Sequence, residues 1–218
     1  MSSLRELSAY VNVFALESFI DELAAAAGAN PVAFRLAQLE DKRAKAVIQA
    51  AAKAAGWKPG AEGDGAQGRG IGFARYQECG VLRGGGGRRQ RRPRTGKLRV
   101  TRAYAAVDAG QIVNPDGLKN QIEGGIAQSA SWTLQEQVSF SFDGIVSRDW
   151  VGYPILIMPE APQVHTVLID RPDQPSLGAG EASLGPAAAA IANAFAHATG
   201  KRLRDLPFNA ARVKVALA

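Results

Sequence analysis

AVDAGQIVNPDGLKNQIEGGIAQS, residues 106–129, passes from strand to helix within a few residues, and the fold class turns on that passage. The residues leading into it, KLRVTRAYAAVDA (97–109), alternate so that Leu98, Val100, Arg102 and Tyr104 share one face, the period-two pattern of a strand. Asn114-Pro115 then reads as an N-cap followed by proline at the first helical position, where no amide hydrogen is needed. The helix it opens is expected to run to about Gln135, with Gly124-Gly125 in its middle. Two glycines inside a helix cost about 1–2 kcal/mol relative to alanine, so another helix, a backbone or a ligand is expected to approach closely there.

Working toward the N-terminus, VNVFALESFIDELAAAA (11–27) repeats Leu16, Phe19/Ile20, Leu23 and Ala27 at helical spacing. Glu17, Asp21 and Glu22 fall toward another face, which predicts an amphipathic helix burying the leucines. Asn30-Pro31 predicts a second capped helix through Leu39, and an alanine-rich third over 42–55 turns Val47, Ile48 and Ala51 inward, with Gly56 as its stop and Trp57 beneath it. Lys58–Gly68 reads as a glycine-rich surface loop, and Gly70–Tyr76 as a strand. Toward the C-terminus, Phe142-Asp-Gly144 is a hairpin turn, Val164–Ile169 a strand, and SLGAGEASLGP (176–186) a glycine-rich connection. Pro186 opens a last helix through Thr199, closed by Gly200, with Ile191, Ala194/Phe195 and Ala198 inward; a short Arg212–Leu217 segment follows. Helices and strands mix without regular alternation or repeats, so the class is α+β.

The 218 residues are 46% hydrophobic, enough for a buried core. No apolar run reaches the roughly 18 residues that a bilayer span needs, and the start lacks the charged head and long apolar stretch of a signal peptide. Cys79 is the sole cysteine, which excludes an internal disulfide and an all-thiolate metal site; a reducing, cytoplasmic setting is expected. The net charge of +6 is local: Arg83, Arg88, Arg89, Arg91, Arg92 and Arg94 lie in a stretch without acids, and the rest of the chain balances.

Glu181, between Gly180 and Ala182, reads on its own as an exposed acidic loop residue, and Gln121 as an ordinary polar helix position. His165 and His197 have no third ligand at useful spacing, so no protein metal site is expected. Asn193, mid-helix, is expected to stitch the last helix to a loop. The Gly84–Gly87 run lacks the Lys-Ser/Thr ending of a phosphate loop.

Four stretches taken together, VNVFALESFIDELA (11–24), residues 106–129, GAGEASLGP (178–186) and IANAFAHATGKRLRDLP (191–207), resemble the molybdenum-binding subunit of the xanthine dehydrogenase/aldehyde oxidase family. The likeness is nearest to bacterial isoquinoline 1-oxidoreductase and aldehyde-oxidase types. It covers nearly the whole chain but only about the last third of a family subunit, so it implies the C-terminal portion of the molybdenum-cofactor-binding domain. It further implies that Glu181 is the catalytic base beside molybdenum and that Gln121 contacts the pterin, with Gly124, Gly125, Gly178 and Gly180 keeping the approach open. The expected cofactor is molybdopterin, as its cytosine dinucleotide, with the metal held by the pterin dithiolene. The implied partners are the upstream part of the subunit, a [2Fe-2S] subunit, and an FAD or haem subunit. Gln128 and Ser129 are weaker candidates for lining the same surface.

The resemblance breaks at CGVLRGGGGRRQRRPR (79–94), where family members carry a strand of alanine, valine and alternating acids. Glycine weakens a strand interior and adjacent arginines cannot all avoid a core, so this segment is expected to pack poorly and leave its sheet neighbours short of a partner. A matched length with altered composition is what two compensating frameshifts would leave. The expected organisation is one partial molybdopterin-binding domain (1–218): a helical cluster (1–57), a Gly/Arg-rich irregular stretch (58–96) and an α+β portion bearing the cofactor motifs (97–218). The function expected is part of a hydroxylase that oxidises an aldehyde or N-heterocycle with water-derived oxygen and is inactive alone. The alternatives are an inert remnant or assembly domain, and an arginine/glycine RNA-binding protein, which the lack of interspersed aromatics disfavours.

Overall fold

The computed structural model describes residues 4–60, 63–75, 79–80, 84–85 and 95–218. Helix α1 (Ala9–Ala26) leads into α2 (Pro31–Gln38) and α3 (Lys42–Ala54). The Asn30 side chain accepts from the Val32 and Ala33 amides, and Asp41 from Arg43 and Ala44, so both starts are capped by their own sequence. α3 buries Ala44, Val47, Ile48 and Ala51, and Trp57 packs against that cluster as expected.

The face of α1 is the reverse of the expected one. Tyr10, Phe14, Glu17, Ser18 and Ala24 are buried, whereas Leu16, Phe19 and Leu23 are 59%, 53% and 43% exposed. The cause is a partner 18 residues away: Arg35 Nε donates to Glu17 Oε2 at 2.8 Å, and the Phe73 amide donates to the same oxygen. Burial raises the Glu17 pKa, and the Arg35 pair pulls against it. A paired, hydrogen-bonded carboxylate can go inside, and here it displaces the leucines from the core.

Strand β4 (Arg102–Val107) is the centre of the main sheet. It runs parallel to β7 (Gln163–Leu168), register Arg102↔Gln163 through Val107↔Leu168. Its antiparallel neighbours are the two-residue segments β2 (Cys79–Gly80) and β3 (Gly84–Gly85), and β3 also pairs with β1 (Arg69–Gly70). The strand expected over Gly70–Tyr76 is thus cut to β1, with Phe73 in an isolated bridge and Tyr76 outside the described residues. Of the Gly/Arg-rich stretch the structure describes only the β2 and β3 pairings; the expectation of poor packing falls otherwise outside the described residues.

Helix α4 (Pro115–Leu134) starts at Asn114, whose side chain accepts from the Gly117 amide. A small hairpin, β5 (Phe140–Ser141) with β6 (Gly144–Ile145), projects from the far end of α4 and exposes Phe140, Phe142, Trp150 and Val151. Helix α5 (Leu184–Thr199) is buried from Leu184 through Asn193 and beyond, not amphipathic as expected, and begins two residues before Pro186. Its small side chains let glycines of the preceding segment rest on its backbone. A Cβ on Gly68, Gly70 or Gly72 would lie 1.8–2.3 Å from the carbonyl oxygens of Ala194, Ala190 and Pro186, in turn. The stretch expected as a surface loop therefore ends as a backbone-to-backbone seam along α5. Asn193 completes it, donating to the Glu17 and Ile71 carbonyls and accepting from Arg202. Helix α6 (Ala210–Leu217) buries Val213 in the core cluster that contains Phe208. The result is a mixed helix-and-sheet fold.

Candidate functional site

Two elements meet where the expected site residues lie: the first half of α4 and the loop that leads into α5. The loop is pinned to α4 at two points, by Ser183 Oγ donating to the Ile122 carbonyl at 3.1 Å and by Ser129 Oγ donating to the Leu184 carbonyl at 2.7 Å. Both serines are buried. Ser129, a weak candidate for the lining, is therefore spent on this anchor. A Cβ on Gly125 would stand 2.2 Å from Ser183 Oγ and 3.2 Å from Leu184 Cδ1. The close approach expected at the glycine pair is real, and at Gly125 the chain's own loop makes it, leaving no room there for another group.

Gly124 differs from its neighbour. It is exposed, and a Cβ there would meet only Arg5 Nη1, at 3.9 Å. A Cβ on Gly180 would likewise meet only Gln121 Oε1, at 3.7 Å. Gln121, Gly124 and Gln128 fall three and four residues apart, on one face of α4. Glu181 is half-buried beside Gly180, while Gly178 is exposed on the outer part of the loop.

Arg5 binds these parts together. Its Nε donates to the Gly180 carbonyl, its Nη2 to Gln121 Oε1 at 2.9 Å and to the Gln121 carbonyl at 3.0 Å, and its Nη1 to Gln128 Oε1 at 3.2 Å. Burial lowers the Arg5 pKa, and the negative charges of Glu181 and Glu6 pull it back up. Sequence reasoning missed both Arg5 and Glu6. The only local signal was a charged pair directly ahead of an apolar helix, which is common on surfaces.

Glu6 has no exposed surface, and among the described residues neither carboxylate oxygen meets a hydrogen-bond partner at normal geometry. Its pKa is pushed up to about 8, first by burial and then by Glu181, with the facing Gly185 amide and Arg5 opposing. The backbone that delivers it is unusual: Glu6 and Leu7 have φ of 71° and 49°. Left-handed conformations cost non-glycine residues about 1–2 kcal/mol each, so packing around the Arg5–Glu6 turn must hold it in place.

His165 stacks on Tyr104 with ring centroids 4.9 Å apart, and His197 Nδ1 accepts from the Arg69 amide. Among the described residues no three His, Cys, Asp or Glu side chains gather where they could hold a metal ion. No helix among them is long and apolar enough to cross a membrane.

Comparison with known proteins gives this arrangement a setting. The molybdopterin cofactor-binding domain family matches residues 91–162. A nicotinate dehydrogenase polypeptide of Pseudomonas putida is 44% identical over 99% of this chain and 19% of its own length. An isoquinoline 1-oxidoreductase polypeptide of Brevundimonas diminuta is 36% identical over 91% of this chain and 25% of its own length. Among solved structures, quinoline 2-oxidoreductase from Pseudomonas putida 86 superposes with a TM-score of 0.53 at 26% identity, over 63% of this chain and 18% of that one. Aldehyde oxidoreductase from Desulfovibrio gigas gives 0.50 at 32% identity, over 56% of this chain and 14% of that one. Residues 91–162 thus match a molybdopterin cofactor-binding domain, and the chain spans between 19% and 25% of the length of these two curated relatives.

Proposed function

We propose that this chain supplies one wall of the active site of a molybdenum hydroxylase that oxidises an N-heterocycle or an aldehyde, with the other wall on further polypeptide. The observation that carries the reading is the convergence of Gln121, Gly180 and Glu181, from sequence positions 60 apart, around a single guanidinium. The residues fit a molybdopterin group. A Cβ on Gly124 or Gly180 would meet only the tip of one side chain, Arg5 Nη1 at 3.9 Å and Gln121 Oε1 at 3.7 Å, with no backbone in the way, and Arg5 offers a cation to the anionic parts of such a group. Gln121 has both an amide donor and an amide acceptor for a pterin edge or a phosphate.

When bound, the cofactor supplies the two-electron redox chemistry. The chain's own residues do the rest. Gln121 and Arg5 hold the group against α4 and the loop, and Gly180 lets it come close. The Glu181 carboxylate accepts the proton from the water-derived oxygen nucleophile as that oxygen attacks an electron-poor carbon, the work of a general base. Its place just ahead of the buried α5, on a loop pinned by Ser129 and Ser183, fixes its position to two packed helices rather than to a free loop. A [2Fe-2S] partner, with an FAD or haem subunit, would take up the electrons.

The test is assembly. Co-expression with the upstream part of a molybdenum subunit and its iron–sulfur partner should give a complex that retains molybdenum and reduces a dye with aldehyde or N-heterocyclic substrates. A complex that forms but holds no molybdenum would favour the second reading, an assembly domain without catalysis.

A further inference from the structure

Glu6 has no task in that scheme, yet it is the most constrained carboxyl group of the site. It is fully buried, its oxygens lack partners among the described residues, and its backbone is left-handed, as is that of Leu7 after it. The titratable groups around it are Arg5 next to it in sequence, Glu181 on the loop ahead of α5, and Tyr10 on α1. Tyr10 is occupied by its 2.8 Å hydrogen bond with Thr133 Oγ1. The Arg5 guanidinium donates to Gly180, Gln121 and Gln128 and to neither Glu6 oxygen. Two carboxyl groups therefore share the field of one cation, and the cation's hydrogen bonds serve neither Glu6 oxygen.

We propose that Glu6 is a positioning residue for Glu181: an un-ionised carboxylic acid packed against the start of α5 that leaves the Arg5 charge to Glu181. A buried carboxylate with neither a counter-ion in contact nor hydrogen bonds keeps its proton, because desolvation penalises only the charged form. The Gly185 amide faces Glu6, and a Cβ built on Gly185 would lie 3.0 Å from Glu6 Oε1. While Glu6 is neutral, the site holds one positive and one negative side chain. Once it ionises, a second negative charge faces Glu181 and weakens the hold of Arg5 on any anionic group. The reading of Glu181 as base gives this its functional meaning, but the Glu6–Glu181 coupling can be tested without cofactor or turnover.

The experiment is a carboxyl-carbon NMR titration of the full chain with labelled glutamate, the Glu6 resonance being identified by its absence from Glu6→Gln. The expected midpoint is near 8, and it should fall in Glu181→Gln, since the Glu181 charge helps to hold the Glu6 proton. Stability supplies a second measurement. A carboxyl whose folded pKa lies above its ordinary 4.5 gives stability that is full below 4.5 and is lost as pH rises through about 8. The unfolding temperature of Glu6→Gln should therefore gain on the unsubstituted chain between those pH values and run parallel to it above them. An ordinary carboxylate midpoint for Glu6, or a midpoint that Glu181→Gln does not move, overturns the proposal. Should Glu6→Gln not fold, Glu6→Asp, which removes the same labelled glutamate resonance and keeps a carboxyl group, makes the assignment, and the Glu181→Gln comparison then decides the matter. A coupled Glu6 in a chain that binds no molybdenum would leave this inference standing and the functional reading fallen.

Discussion

Asp108 shows what a single side chain does to the frame that carries the site. Its carboxylate has no exposed surface and is held from two directions, by Arg43 Nη2 at 2.6 Å and Arg171 Nε at 3.0 Å. Burial pushes its pKa up, but the hydrogen bonds from Arg43, Arg171 and the Gly110 amide outweigh that and leave it below the ordinary 3.8. The contribution is therefore present above 3.8 and is lost as pH falls below that value. Asp108→Asn should cost about 2–3 kcal/mol at neutral pH in urea unfolding, since charge-assisted hydrogen bonds are lost at a buried site. The gap to the unsubstituted chain should narrow below pH 3.8. The ion pair could not be foreseen, because Arg43 and Arg171 come from elements far apart in the chain. The same holds for Arg5 and Glu6. Gln121 and Glu181, by contrast, were singled out only through the resemblance of the motifs around them, and the structure brings Gln121 and the neighbouring Gly180 onto one guanidinium.

At the scale of elements, what could be read locally was read well. Asn30-Pro31 and Asn114-Pro115 mark real helix starts because a cap is a contact between near neighbours. Faces were harder. Periodicity showed that α1 has an apolar stripe and an acidic one, but which stripe goes inside was decided by Arg35 and Asn193. Of the glycines that lie on α5, Gly68 read as the end of a loop and Gly70 and Gly72 as part of a strand, because a seam between two backbones leaves no side-chain period to mark its partner. The reversed face has a consequence. Leu16, Phe19 and Leu23 form an exposed apolar ridge on α1, and such ridges drive association. Replacing all three with lysine should suppress concentration-dependent association in analytical ultracentrifugation while shifting stability by no more than about 0.5 kcal/mol per site. A marked loss of stability would mean that the ridge is packed in the folded chain.

At the scale of the whole molecule, a well-packed frame carries exposed apolar and site-bearing faces. Three core clusters hold α5, the β4–β7 pair and the α2–α3 hairpin together. Meanwhile Phe140, Phe142, Trp150 and Val151 stand in solvent, and Gly124 is exposed on α4. That combination suits a piece of a larger active site, as do relatives of which the chain spans 19% and 25%. The central claim is that Glu181 moves the proton in such a site. It is tested most directly by Glu181→Gln in the complex assembled with its upstream and iron–sulfur partners, with molybdenum content and turnover measured on the same sample. The account predicts unchanged molybdenum and a loss of turnover of at least about 100-fold, the scale of a general base. Turnover at the unsubstituted level, with molybdenum in place, would contradict it.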